Sequence, residues 1–290
     1  MISVLFAVLT ALSNGAASVL QRRAAQMVPD TEAMRPALIG RLLRQKVWLA
    51  GIGLVIVAAV CQAVALATGP ISVVQPIFVI ELPLTLLIGG LVMRVRIPVP
   101  VRLGIAAVTL GLALGMVAAA PVGGSDSVHG TAWVPALALT ALFEAAVIAG
   151  GLATSGNTRA ALLGLSAACM YSLTAALMKD AVARLGGGNG AAGMFSSWQL
   201  YAMAAAGVGA LFLLQNALQA GSLVAVQPML TLGDALISIL YGVTLFGEEL
   251  RTGWWLLPEL AGLALIAAGC VVLARSPLAA GQAGAPPRAE

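Results

Sequence analysis

The sequence predicts an all-α fold, a polytopic membrane bundle of about nine helices, possible ten, built from an inverted repeat. Three observations carry this expectation. Of 290 residues, 60% are hydrophobic and 9% are charged, whereas a water-facing domain carries about 25% charged residues. The apolar residues fall into nine stretches of the roughly 20 residues that a helix needs to cross a bilayer. A fifteen-residue segment beside the third stretch recurs beside the eighth, in a helix that crosses in the opposite sense. The connections are too short for a soluble catalytic domain, a nucleotide-binding domain or a nucleic-acid-binding module. The lipid bilayer is therefore the expected environment, and nucleic acid is not an expected partner. The net charge of +4 comes from basic residues beside apolar segments, which orient a membrane protein.

The stretches lie near 2–21, 47–67, 71–93, 103–120, 133–153, 160–178, 196–219, 223–245 and 254–274. The first is followed by Arg22 and Arg23 and has no positive region before it, as in a retained span rather than a cleaved signal peptide. Residues 22–46 carry too much charge to cross, and Ala37 to Lys46 reads as an amphipathic surface helix. The third span contains Pro76 and Pro83, each of which removes a helical N–H, so a kink or local unwinding is expected near its middle. In the fourth, Gly111 and Gly115 form a G-x-x-x-G that favours close helix packing. His129 falls in a loop and reads as solvated. The glycine-rich loop Gly186 to Gly193 lacks the Lys-Ser/Thr ending of a phosphate-binding loop. Pro228 lies early in the eighth span. Cys61, Cys169 and Cys270 sit in separate spans and read as packing residues. The division is a first repeat at 1–120, a connecting span at 121–159, a second repeat at 160–275 and a disordered cytoplasmic tail at 276–290.

Charge asymmetry orients the bundle. With the 22–46 connection in the cytoplasm, twelve of fifteen Lys and Arg residues fall on that side, and Lys179, Arg184 and Arg251 on the other. The positive-inside rule then puts the N-terminus outside and the C-terminus in the cytoplasm, across the inner or plasma membrane. Trp133, Trp254 and Trp255 mark the outer interface.

The recurring segment is Gln62–Pro76 (QAVALATGPISVVQP) and Leu214–Pro228 (LQNALQAGSLVAVQP), which share six of fifteen residues at an offset of 152. Five spans separate the copies, an odd number, so the two halves have inverted topology. Secondary transporters are commonly built this way, because exchanging the conformations of the halves moves the opening from one side to the other.

Four acids lie within spans: Glu81, Glu144, Asp234 and Glu259. A charge at mid-span costs about 2.5 to 3.5 kcal/mol on the insertion scale, so residues retained there mark substrate or ion paths. Glu81, Glu144 and Asp234 fall near the midplane, and Glu259 near an interface. Gln227, Thr231, Asp234, Ser238 and Tyr241 follow at spacings of 4, 3, 4 and 3 and form one polar helix face. Asn14, with Thr10, Ser18 and Gln21, is a weaker counterpart in the first span. Gln75 precedes Pro76, and Gln215 clusters with Asn216 and Gln219. In the repeat alignment Glu81 falls opposite Gly233, so Asp234 lies one residue later, about 100° around the helix, and an asymmetric site is expected. No catalytic constellation is apparent, and neither enzymatic activity nor a cofactor is expected.

The run Gln227-Pro228, then Leu245-Phe246-Gly247-Glu248-Glu249-Leu250, then Gly262 and Gly269, resembles the drug/metabolite transporter superfamily. Its EamA-type repeats end in a helix, a Gly-Glu turn and a glycine-bearing helix. Leu12-Ser13-Asn14-Gly15, Val19-Leu20-Gln21-Arg22 and Gln75-Pro76 are similar to bacterial relatives of the NIPA-type magnesium transporters. The resemblance implies a secondary transporter that moves a small metabolite or a cation by alternating access. Glu81 and Asp234 would bind a cation such as Mg²⁺, or carry protons for another solute. A homodimer is a candidate assembly. The superfamily has ten spans, and Arg94-Val95-Arg96 replaces the Gly-Glu turn in the first repeat, so a helix of that repeat is expected to be missing or shortened.

Overall fold

A computed structural model describes residues 1–26, 45–92, 97–128, 131–186, 190–221 and 223–275. Among these residues, nine helical segments are long and apolar enough to cross a membrane. They are α1 (Ile2–Gln26), α2 (Lys46–Thr68), a third span divided into α3 (Ile71–Ile77) and α4 (Glu81–Val92), α5 (Val99–Ala119), α6 (Trp133–Ala153), α7 (Gly156–Ala183), α9 (Trp198–Ala220), α10 (Leu223–Leu245) and α11 (Leu256–Ala274). The short helix α8 (Gly190–Phe195) precedes α9. Two-residue strands β1 (Val122–Gly123) and β2 (Glu248–Glu249) pair antiparallel. The amphipathic stretch at 37–44, His129 and the tail at 276–290 lie outside the described residues. Below, the end of the bundle that carries the 27–44 connection is called proximal and the opposite end distal.

The two halves pack alike. Helix α1 lies against α2 and the third span, as α7 lies against α9 and α10, and α5 pairs with α11. The halves meet where α5 pairs with α11, where α3 touches α10 and where α2 touches α7. Among the described residues each half contributes four spans, so each helix of the first half has a counterpart in the second. The helix without a counterpart is α6, which packs on α7. Only 6% of its apolar window is buried, against 61% for the span formed by α7, so α7 is the central post and α6 lies at the periphery of the bundle.

Glycines set the α5/α11 crossing. A Cβ on Gly262 would lie 2.6 Å from the Gly111 carbonyl oxygen and 2.8 Å from the Gly115 nitrogen, and one on Gly269 would lie 2.8 Å from the Gly104 carbonyl oxygen. The obstacles are backbone atoms, which cannot swing aside as a side chain can. Gly262→Leu is therefore expected to destabilise the bundle by about 3 kcal/mol or more, read as a drop in thermal unfolding temperature in detergent. A Cβ on Gly115 meets nothing within 4 Å, so Gly115→Ala is expected to leave that temperature unchanged.

The third span is interrupted where its prolines predict. Pro76 cannot donate to the helical ladder, and after Ile77 the chain tightens into a 3-10 turn at Phe78–Ile80 before α4 starts at Glu81. Pro83 is the third residue of α4, inside the first turn, where a missing N–H is tolerated. The interruption is an overwound turn rather than an open loop. Pro228 leaves α10 continuous.

Candidate functional site

A cavity of about 590 Å³ lies between the halves. It is lined by Asn14 and Ser18 of α1, Gln62 of α2, Gln75, Glu81 and Thr85 of the third span, Tyr171 and Thr174 of α7, and Gln227, Thr231 and Asp234 of α10. Its two carboxylates come from corresponding spans of the two halves. The one-residue offset between them would turn Asp234 away from Glu81 if both helices were regular. A 3-10 turn winds about 120° per residue against about 100° for an α-helix, so three residues add about 60°. The turn at Phe78–Ile80 therefore absorbs much of the mismatch, and Glu81 and Asp234 face one space.

Neither carboxylate has a basic partner among the described residues, where the ion pairs join Lys179 to Glu248 and Arg184 to Asp180. Glu81 Oε2 accepts from Asn14 Nδ2 at 3.2 Å. Asp234 Oδ1 accepts from the Ser172 hydroxyl at 2.8 Å, and that hydroxyl also lies 3.0 Å from the carbonyls of Ala168 and Asp234. The Ser172 hydrogen is shared among three acceptors, and Ser238, one turn farther along α10, is the other side chain that favours the Asp234 carboxylate. Gln227 Nε2 donates to Thr231 Oγ1 at 3.2 Å. The lining is thus rich in oxygen acceptors with two acids at its centre.

Other residues expected in the path lie elsewhere. The polar face of α10 divides beyond Asp234: the Tyr241 hydroxyl meets Thr140 Oγ1 of α6 at 2.6 Å, and Ser238 is fully buried. Both fall in the distal part of α10, where the helices close together, so depth rather than helix face excludes them. Glu144 turns from α6 to α7, where one carboxylate oxygen accepts from the Ser166 hydroxyl. Gln215 is exposed on α9 while its neighbour Leu214 lines the cavity. Pro76, Pro83 and Pro228 are all buried. Sequence reasoning passed over Gln62, Thr85, Tyr171 and Thr174 as lining residues. Their signal was present in part, since Gln62 stands in the repeated segment and Tyr171, Thr174 and Met178 are spaced by 3 and 4.

The distal end is shut by charges that the sequence placed differently. Lys179 was expected in an outer loop, but α7 runs on to Ala183 and Lys179 is 3% exposed. Its ammonium donates to the Gly69 carbonyl at 2.8 Å, lies 3.6 Å from Glu248 Oε1, and sits 5.1 Å from the centre of the Phe246 ring. Glu248 in turn accepts the backbone N–H of Ile71 at 2.6 Å and of Ser72 at 2.9 Å. A carboxylate at a helix N-terminus satisfies donors that have no partner within the helix. Gly247, at φ 65°, lets the chain turn so that Glu248 points inward. Beside it Asp180 accepts from the Val128 N–H, the Trp133 indole and the Gln199 amide, at 3.2, 2.7 and 2.9 Å. Trp133 is therefore buried rather than an interfacial ring, while Trp254 and Trp255 are exposed.

No family model matches the chain, and no solved structure matches it. An uncharacterized protein of Corynebacterium glutamicum is 25% identical over 287 residues, covering 97% of this chain and 98% of its own. The likeness runs from end to end, so it takes in α6 as well as both halves.

Proposed function

We propose that the chain is a secondary transporter of the inner or plasma membrane, moving a small solute by alternating access, and that it is related to the EamA-like drug/metabolite transporters. The observation that carries this reading is the pairing of Glu81 and Asp234, one from each half, in one cavity with no basic residue among the described ones to neutralise them. Such a site suits a cationic substrate, which the carboxylates bind, or a neutral solute whose movement is coupled to protons on those carboxylates. The latched distal end and the lining that extends proximally to Ser18, Thr85 and Gln227 support a conformation open toward the proximal side. With the basic connections in the cytoplasm, that conformation faces inward.

Magnesium is the second reading, favoured by the donor set. Glu81, Asp234 and the amide oxygens of Asn14, Gln75 and Gln227 suit a hard cation. Mg²⁺ dehydrates reluctantly, and six waters at about 30 Å³ each take about 180 Å³, which the 590 Å³ cavity holds. The test is flux into proteoliposomes containing the purified chain, with Mg²⁺, monovalent cations, polyamines and small metabolites offered in turn, with and without a pH gradient. Saturable uptake of one class that competes with its analogues is expected. No flux above empty liposomes for any of them would remove the transport reading.

A further inference from the structure

The distal end holds a second polar pocket, of about 440 Å³, which the transport path does not use; its walls include Trp133, Val134, Leu137, Arg184, Trp198 and Gln199. Gln199 is 1% exposed. Its amide nitrogen donates to Asp180 Oδ2 at 2.9 Å, and because a carboxylate only accepts, this fixes the orientation of the amide. The amide oxygen is buried without a protein partner, and so is Arg184 Nε. The Arg184 guanidinium approaches Asp180 only to 3.9 Å, and its side chain is 40% exposed. Buried polar atoms are rarely left unpaired. Here a waiting acceptor and a waiting cationic donor stand on the same pocket wall.

The rest of the pocket belongs to the membrane. Trp133 and Trp198 meet edge to face with ring centres 5.6 Å apart; Trp133 is buried, and Trp198, 45% exposed at the start of α9, stands where indoles sit among headgroups. Val134 and Leu137 lead down α6 to Ala138, Ala141 and Ala145, which follow on the same helix face and are exposed. The pocket is polar at headgroup depth and continues along an apolar helix face.

We infer that this pocket binds an anionic phospholipid whose headgroup bears a hydroxyl, with the phosphate on Arg184, the hydroxyl donating to Gln199 Oε1 and an acyl chain along α6. A choline headgroup fits poorly, because it has no hydrogen to donate and brings a positive charge beside Arg184. The bound lipid bridges α6 and α9, which both pack on α7, and so secures the span with the least protein around it.

The test is native mass spectrometry and thermal unfolding of the full chain in detergent. The probes are phosphatidylglycerol, phosphatidylcholine of the same chains, and glycerol 3-phosphate as the headgroup without chains. Phosphatidylglycerol is expected to stay bound and to raise the unfolding temperature; the other two are not. Arg184→Gln is expected to weaken phosphatidylglycerol binding about tenfold, the scale of one charge-assisted hydrogen bond. Gln199→Glu, which sets a second negative charge beside the phosphate, is expected to weaken it as well. Arg275→Gln, at the proximal end, serves as the control. Equal retention of both lipids, or an unchanged preference in Arg184→Gln, overturns the proposal. Glycerol 3-phosphate binding as tightly as phosphatidylglycerol overturns the assignment to lipid. None of these outcomes depends on whether the chain transports.

Discussion

Asp234→Asn is expected to lower solute flux in proteoliposomes at least a hundredfold, or to leave flux that no longer responds to a pH gradient. The substitution keeps the size of the side chain and an oxygen to accept from Ser172 Oγ, which lies 2.8 Å from the native carboxylate, so folding is not at stake. What is lost is a negative charge in a cavity with no described cation beside it. Loss of one charge-assisted contact is worth about 1.5 to 3 kcal/mol, and in a low-dielectric cavity the electrostatic share rises further. Glu81→Gln is expected to act in the same direction, with Asn14 reorienting its amide to compensate. A cationic substrate predicts that both variants lose binding, measured as lost thermal stabilisation by that substrate. Proton coupling predicts retained substrate binding with flux independent of the gradient. Asp234→Asn with unchanged, still pH-responsive flux would remove this carboxylate from the mechanism.

Glu248→Ala is expected to be the most destabilising change at the distal end and to open that end to solvent. It strips the acceptor from two backbone N–H groups at the start of α3 and leaves Lys179 buried without its carboxylate. Removing one partner of a buried ion pair costs about 3 to 5 kcal/mol. The double variant Lys179→Met/Glu248→Gln is expected to recover much of that loss, because it leaves no orphan charge. A cysteine placed at Ser72, which is 1% exposed, is expected to react with a soluble thiol reagent added from the distal side far faster in Glu248→Gln than with Glu248 intact. Equal labelling would show that Glu248 is a brace rather than a latch. The latch bears directly on the site, since α3 is seven residues long and ends at the 3-10 turn that orients Glu81. Freeing the first turn of α3 therefore frees one wall of the cavity.

The spans were legible because each depends on local composition, and Pro76 announced the break in the third by the donor it lacks. Asn14, Gln75, Gln227 and Thr231 were legible as cavity residues because polar side chains within spans must face protein or water. Ser238 and Tyr241 misled because helical periodicity gives direction around an axis but not how far along it the bundle closes, and Glu144 because it stands on the peripheral α6. Lys179 and Glu248 were hidden more deeply. Each stands near the end of an apolar stretch, where a charge is cheap, and their pairing depends on α7 meeting the β2 turn 69 residues later in the chain. The rotation that brings Glu81 and Asp234 together was invisible for a related reason, because an alignment counts residues whereas the 3-10 turn changes the angle that each residue contributes.

Helix α6 has a consequence for how the protein assembles. In the first half, nine basic residues flank the proximal ends of the helices, a bias strong enough to dictate insertion. By sequence the second half has Arg159, Arg275 and Arg288 on the proximal side against Lys179, Arg184 and Arg251 on the distal side, three against three, so its own charges favour neither direction. What turns it over is parity. A lone peripheral helix, adding little to the packed interior, makes the number of spans before α7 odd, so α7 starts at the end of the bundle opposite to the start of α1. Two similar four-span units thereby enter the bilayer upside down relative to one another, although only one of them carries the charges to orient itself.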